Sequence, residues 1–272
     1  MPRYRLAIEY AGTRYSGWQV QKNARTVQGE LLRAVREATG EAAPELQGSG
    51  RTDAGVHAVG QVAHLDLPRA VTPELLRRQM NDVLPADINV LGIEPVPHRF
   101  HARRDPVSRS YVYQVARRRT AFAKPFVWWV KEEVDVRAMR EAAGAFVGMH
   151  DFRSFTDSDP DEISTHVQVD AIEVKEDGAL ILFRITGSHF VWKMVRRVVG
   201  VLVEVGRGRL SVDEAEGFLE EHSPVPARVT APASGLFLER VVYPGEQGVG
   251  PLRAITPIPG AGPEGPAYED RT

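Results

Sequence analysis

Two hydrophobic periods follow one another near the N-terminus, and that succession constrains the fold more than any other feature. From Arg3 to Tyr10 the side chains Tyr4, Leu6, Ile8 and Tyr10 fall on one side, the two-residue repeat of a strand. Val27, Leu31, Val35 and Ala38 then recur at helical spacing, with Thr26 placed as N-cap and Gly40 just past the end. The same vocabulary continues. Val62 to Leu67, Ile88 to Ile93 and Tyr111 to Val115 are apolar stretches of strand length, and Thr72-Pro73-Glu74 opens another helix with proline at its first position.

In the second half Asp135 is placed to cap a helix burying Val136, Met139, Ala143 and Phe146. Val167 to Val174 and Leu180 to Ile185 flank Asp177-Gly178, a hairpin signal. Phe190 to Val205 predicts a long apolar helix, Ser211 with Glu214 a capping box, and Leu236 to Val242 a closing strand. Strands and helices mix without strict alternation. The expectation is therefore an α+β fold of two similar halves, residues 1–105 and 106–243, with adjoining mixed or antiparallel sheets flanked by helices. Residues 244–272 hold six prolines and six glycines among 29 positions, which predicts a flexible or extended tail outside the core.

The chain of 272 residues is 43% hydrophobic and 26% charged, enough for a sizeable core. No apolar run reaches transmembrane length and no leader is evident, so a non-membrane protein is expected. The absence of cysteine removes disulfides, thiolate metal sites and cysteine nucleophiles, and suits a reducing cytoplasm. Net charge is −2, yet Arg99 to Lys131 carries nine Lys or Arg against one acid, Asp105. That segment reads either as a local footprint for an anion such as nucleic acid, or as a solvated surface whose acids come from elsewhere in the fold.

The run Gly48-Ser49-Gly50-Arg51-Thr52-Asp53-Ala54-Gly55-Val56-His57-Ala58 displays one carboxylate beside an arginine on a glycine-punctuated loop. Glycines permit tight turns and close approach of a ligand to the backbone. Read alone, Asp53 is more simply a turn residue bonding neighbouring amides.

The string GRTDAGVHA resembles the catalytic motif of the TruA family of tRNA pseudouridine synthases, and eleven contiguous residues follow its pattern. The resemblance extends to Tyr10–Thr13 with Ser16–Gln21, to Thr26–Glu30, to Ser108–Tyr113, to His150–Phe155, to Lys193–Gly200 and to Gly235–Leu238, covering about Tyr4 to Pro244. It implies the pseudouridine synthase fold with its central cleft. It also implies isomerisation of uridine at positions 38, 39 and 40 of the tRNA anticodon arm, a homodimer, and no cofactor or metal. Asp53 is then the catalytic carboxylate, which attacks the nucleotide or takes a sugar proton. Arg196 is its charge partner, Tyr111 lies against the target base, Arg51 enters the space left by a flipped nucleotide, and Leu236 walls the base pocket.

Two departures from the family pattern stand close together. Met194-Val195-Arg196-Arg197 replaces the usual Met-Val-Arg-Asn, and Phe190-Val191-Trp192-Lys193 replaces Phe-Leu-Tyr-His. Helical spacing puts Lys193, Arg196, Arg197 and Gly200 on one face, opposite Met194, Val195, Val198, Val199, Leu202 and Val205. A solvated basic face is the plain alternative for Arg196. Two rival functions remain at this level: a metal-dependent nuclease using Asp53, Asp151 and histidines, and a non-catalytic RNA-binding module. The histidines His57, His64, His98, His101, His150, His166 and His189 show no i,i+4 pair of the kind that holds metal on a helix.

Overall fold

A computed structural model of the protein describes residues 1–159 and 163–260. Among the described residues ten strands form one sheet: β1 (Arg3–Tyr10), β2 (Glu45–Gly48), β3 (His57–Asp66), β4 (Ile88–Val96), β5 (Ser108–Ala116), β6 (Trp128–Trp129), β7 (Gly148–Asp151), β8 (His166–Asp177), β9 (Leu180–Gly187) and β10 (Leu236–Val242). The principal order is β4-β1-β3-β10-β5-β9-β8-β7, with β2 paired to β3 and β6 to β5. The α-helices are α1 (Val27–Thr39), α2 (Pro73–Val83), α3 (Val136–Ala145), α4 (Met194–Gly206), α5 (Val212–Glu220) and α6 (Val225–Arg228). This is the α+β class that the mixed periodicity implies.

Local signals act as the sequence suggests. Thr26 accepts from the Gly29 N–H, and Gly40 closes α1 in the left-handed region at φ 71°. Asp135 caps α3 and Ser211 with Glu214 forms the capping box of α5. Thr72 precedes α2, but its hydroxyl makes no capping bond there. β8 and β9 meet at Gly178, φ +60°.

What joins the halves is β10. Although it comes last, it lies between β3 and β5, parallel to the former and antiparallel to the latter. The two expected sheets are therefore one sheet. Alternate residues of its strands, such as Leu6, Ile8, Tyr113 and Phe183, face a single core with Val27, Leu31, Met80, Met139 and Val199 from the helices.

The other face carries a smaller core, and it corrects the expectation for the tail. Leu252 and Ile258 are buried against Val112, Ala116, Leu180 and Leu182. Gln114 Oε1 accepts from the Ile255 N–H at 2.7 Å, and Ile258 O accepts from the Ala179 N–H at 3.0 Å. Its aliphatic side chains Leu252, Ile255 and Ile258 find the apolar strip that the helices leave open. Residues 261–272 lie outside the described part of the chain.

A second correction concerns α4, which begins at Met194 rather than Phe190. Lys193 sits at φ 64°, ψ −1°, a left-handed residue that breaks helical continuity. Nor is the basic face solvated: Arg197 is 3% exposed. It donates to Ser154 O and pairs with Asp157, so a charge placed by periodicity on the outer face is an internal tie.

Candidate active site

Asp53 sits on the loop between β2 and β3, and the loop is held from several directions. Trp18 N–H donates to Thr52 O at 3.0 Å and Gly55 N–H to Tyr15 O at 3.3 Å. The Thr52 hydroxyl meets the Tyr10 hydroxyl at 2.8 Å. Gln61 accepts from the Ser49 hydroxyl at 2.8 Å and donates to Gly50 O at 3.1 Å. Gly17 has φ +94°, and a Cβ there would lie 2.7 Å from Thr52 O. The residues Tyr10–Trp18 thus serve as a clasp on the loop, at a spacing that leaves no room for a side chain at Gly17.

The Asp53 carboxylate is 23% exposed and has two donors from the other half of the chain. The Trp192 indole N–H reaches Oδ1 at 3.0 Å, and an Arg196 guanidinium nitrogen reaches Oδ2 at 3.4 Å. Arg196 is itself aimed by its Nε, which donates to Ala231 O at 2.8 Å. Tyr111, 8% exposed on β5, stands edge-on to Phe190 with ring centroids 5.2 Å apart. Burial pushes its hydroxyl up to about 12, with the nearby Asp53 charge also raising it and Arg109 opposing, so it remains a donor at neutral pH. Leu236, 5% exposed, opens β10 on the same wall.

These groups line one cavity of about 1090 Å³, open to solvent and edged by Arg51 and Arg104. All five residues singled out in the sequence — Asp53, Tyr111, Arg196, Arg51 and Leu236 — are brought to it. Their separation in the chain makes this a result of topology, since Arg196 follows Asp53 by 143 positions.

The basic segment divides. Exposed Arg103 and Arg104 line the cavity, whereas Arg109 is 9% exposed. Arg109 donates to Ser49 O at 3.0 Å, Arg103 O at 2.8 Å and Ser188 O at 2.9 Å, tying three loops around the site. Burial lowers its pKa from the usual arginine value. Farther off, Arg117 pairs with Glu176 at 2.7 Å, and Arg118 donates to Pro259 O at 3.2 Å.

Sequence reasoning missed Trp192 and Arg109 as parts of the site. Arg109 shares strand parity with Tyr111 and Tyr113, which is a signal for an inward-facing charge. Trp192 stands in a stretch that departs from the family pattern, but only the break at Lys193 aims it at Asp53. Among the described residues no group of three or more His, Asp or Glu is placed to hold a metal ion. Among them no helix is long and apolar enough to cross a membrane.

A family model described as tRNA pseudouridine synthase matches residues 6–105 and 142–244. The chain belongs to the tRNA pseudouridine synthase family. The matched blocks include the Asp53 loop, α4 and β10. The tRNA pseudouridine synthase A of Rhodopseudomonas palustris (strain BisA53) is 42% identical over 246 residues, which is 89% of this chain and 100% of that protein. The protein of the same name from Hyphomonas neptunium is 43% identical over 247 residues, 90% of this chain and 99% of that one. That from Beijerinckia indica is 40% identical over 249 residues, 90% and 95% of the two chains.

Proposed function

We propose that this tRNA pseudouridine synthase converts uridine to pseudouridine at positions 38, 39 and 40 of the tRNA anticodon arm, with Asp53 as the reacting carboxylate. The reaction breaks the bond from C1′ to N1, turns the base, and joins C1′ to C5. The C5 proton is lost and N1 regains one, so the product is an isomer and no cofactor is required. Asp53 opens this sequence by attacking the nucleotide or by taking a sugar proton. The observation that carries the reading is a carboxylate, the single one among the described lining residues, held by Arg196 and Trp192 at the wall of an open cavity beside Tyr111 and Leu236.

Arg196 offsets the cost of keeping that carboxylate charged in a partly buried place. The Tyr111 ring offers a face for a base to stack on and a hydroxyl to bond, and Leu236 gives the base an apolar wall. A uridine inside a paired stem does not expose C1′ and C5 to such a wall, so the nucleotide must turn out of its stack. Exposed Arg51 occupies the rim, where it fills the space so left. The family resemblance further supports a homodimer working in the cytoplasm, and sedimentation of the purified protein tests the former.

Asp53→Asn keeps the shape and removes the charge. We expect release of tritium from C5-labelled uridine in tRNA to fall by at least about a thousandfold, some 4 kcal/mol in barrier, with tRNA affinity nearly unchanged. A variant retaining a tenth of wild-type turnover would show that Asp53 is not the reacting group. The same assay in EDTA, with tRNA folded in monovalent salt, separates this reading from a metal-dependent nuclease.

A further inference from the structure

Asp53 has two donors, and the shorter contact is not the arginine. Trp192 Nε1 lies 3.0 Å from Oδ1 although the residue is 53% exposed, so burial does not hold it there. Its backbone does. Lys193 occupies the left-handed region at φ 64°, which a non-glycine residue adopts only where its surroundings hold it. The Lys193 ammonium lies 4.5 Å over the Trp192 ring and 2.7 Å from Asp157 Oδ2, while the other oxygen of Asp157 takes the buried Arg197. At the near end of the same turn Phe190 rests edge-on against Tyr111. The turn is therefore pinned on both sides of Trp192.

We propose that Trp192 is a positioning residue for Asp53, set by the Lys193–Asp157–Arg197 tie. This rests on the reading of Asp53 as the reacting carboxylate. Two donors from one short segment, one on each oxygen, fix the plane of the carboxylate. Each oxygen keeps a lone pair to turn toward the cavity. A neutral indole orients without adding charge, so it leaves the negative charge of Asp53 to the reaction, whereas a second cation would draw it off. Arg196 at 3.4 Å is too distant to set the orientation unaided.

Trp192→Phe keeps an aromatic ring beside the Lys193 ammonium and removes the N–H together with the five-membered ring that bears it. The single-turnover rate at saturating enzyme is expected to drop about tenfold, with tRNA Kd within about twofold of wild type. Trp192→His, which returns a ring N–H, should recover part of that loss. The proposal is overturned if the Phe variant keeps the wild-type rate. It is also overturned if affinity falls by the same factor as rate, or if the His variant is no faster than the Phe variant. Asp53→Asn measured alongside keeps the two readings apart, because an active Asp53→Asn defeats the role of Asp53 itself, whatever Trp192 does.

Discussion

His64 illustrates how one side chain couples the fold to pH. It is 5% exposed on β3, and its Nδ1 accepts the Ala102 N–H at 3.2 Å, a bond that requires the neutral ring. Burial, then the nearby charges of Arg3 and His101, pushes its pKa down to about 4 from an ordinary 6.5. The folded state thus binds fewer protons than the unfolded chain between those values. Its contribution to stability is complete above pH 6.5, falls as pH drops toward 4, and changes no further below that. Urea unfolding of wild type across this window should show declining midpoints, with a shallower decline in His64→Gln. Equal slopes for the two proteins would mean that His64 is charged in the fold.

At the scale of elements, α4 carries the site because it is enclosed. Most of its thirteen residues are buried, and the helix has no solvated stripe. Gly200 permits the closest approach: a Cβ at this position would stand 1.9 Å from Val229 O. The 225–231 stretch comes near enough there for Ala231 N–H to donate to Arg196 O at 3.1 Å, while the Arg196 guanidinium reaches back to Ala231 O. Gly200→Ala is expected to cost about 3 kcal/mol, since backbone rather than a flexible side chain must yield. Chemical denaturation gives this number directly; a change under about 0.5 kcal/mol would show that the contact is not tight.

Across the whole molecule, arginines that the chain order sets close together part in space. Arg51, Arg103 and Arg104 surround the cavity, and Arg117 and Arg118 are engaged with Glu176 and Pro259 on another part of the surface. A phosphate footprint drawn from residue order alone would favour the triplet Arg117, Arg118 and Arg119. The fold favours the rim. Removing Arg103 and Arg104 together should lower the log–log dependence of tRNA affinity on salt by roughly one unit per contacting residue. Removing Arg117 and Arg118 should change it little. Affinities at several salt concentrations decide this, and the reverse ranking would move the tRNA backbone to the far side.

Sequence by itself determined whatever depends on neighbours in the chain. Periodicity and caps placed β1, α1, α3 and α5, and the contiguous Gly48–Ala58 run marked the Asp53 loop, because turns, caps and hydrogen-bonded loops are local. Tertiary structure decided what depends on partners far along the chain. It inserted β10 between β3 and β5, and it brought Arg196 and Trp192 to Asp53. It buried Arg197 with Asp157, and it laid Leu252 and Ile258 on the open sheet face. Helical spacing gives the direction of Arg197 but not what lies in that direction. Whether a charge meets water or a carboxylate is a property of the packed surface, and no local pattern encodes it.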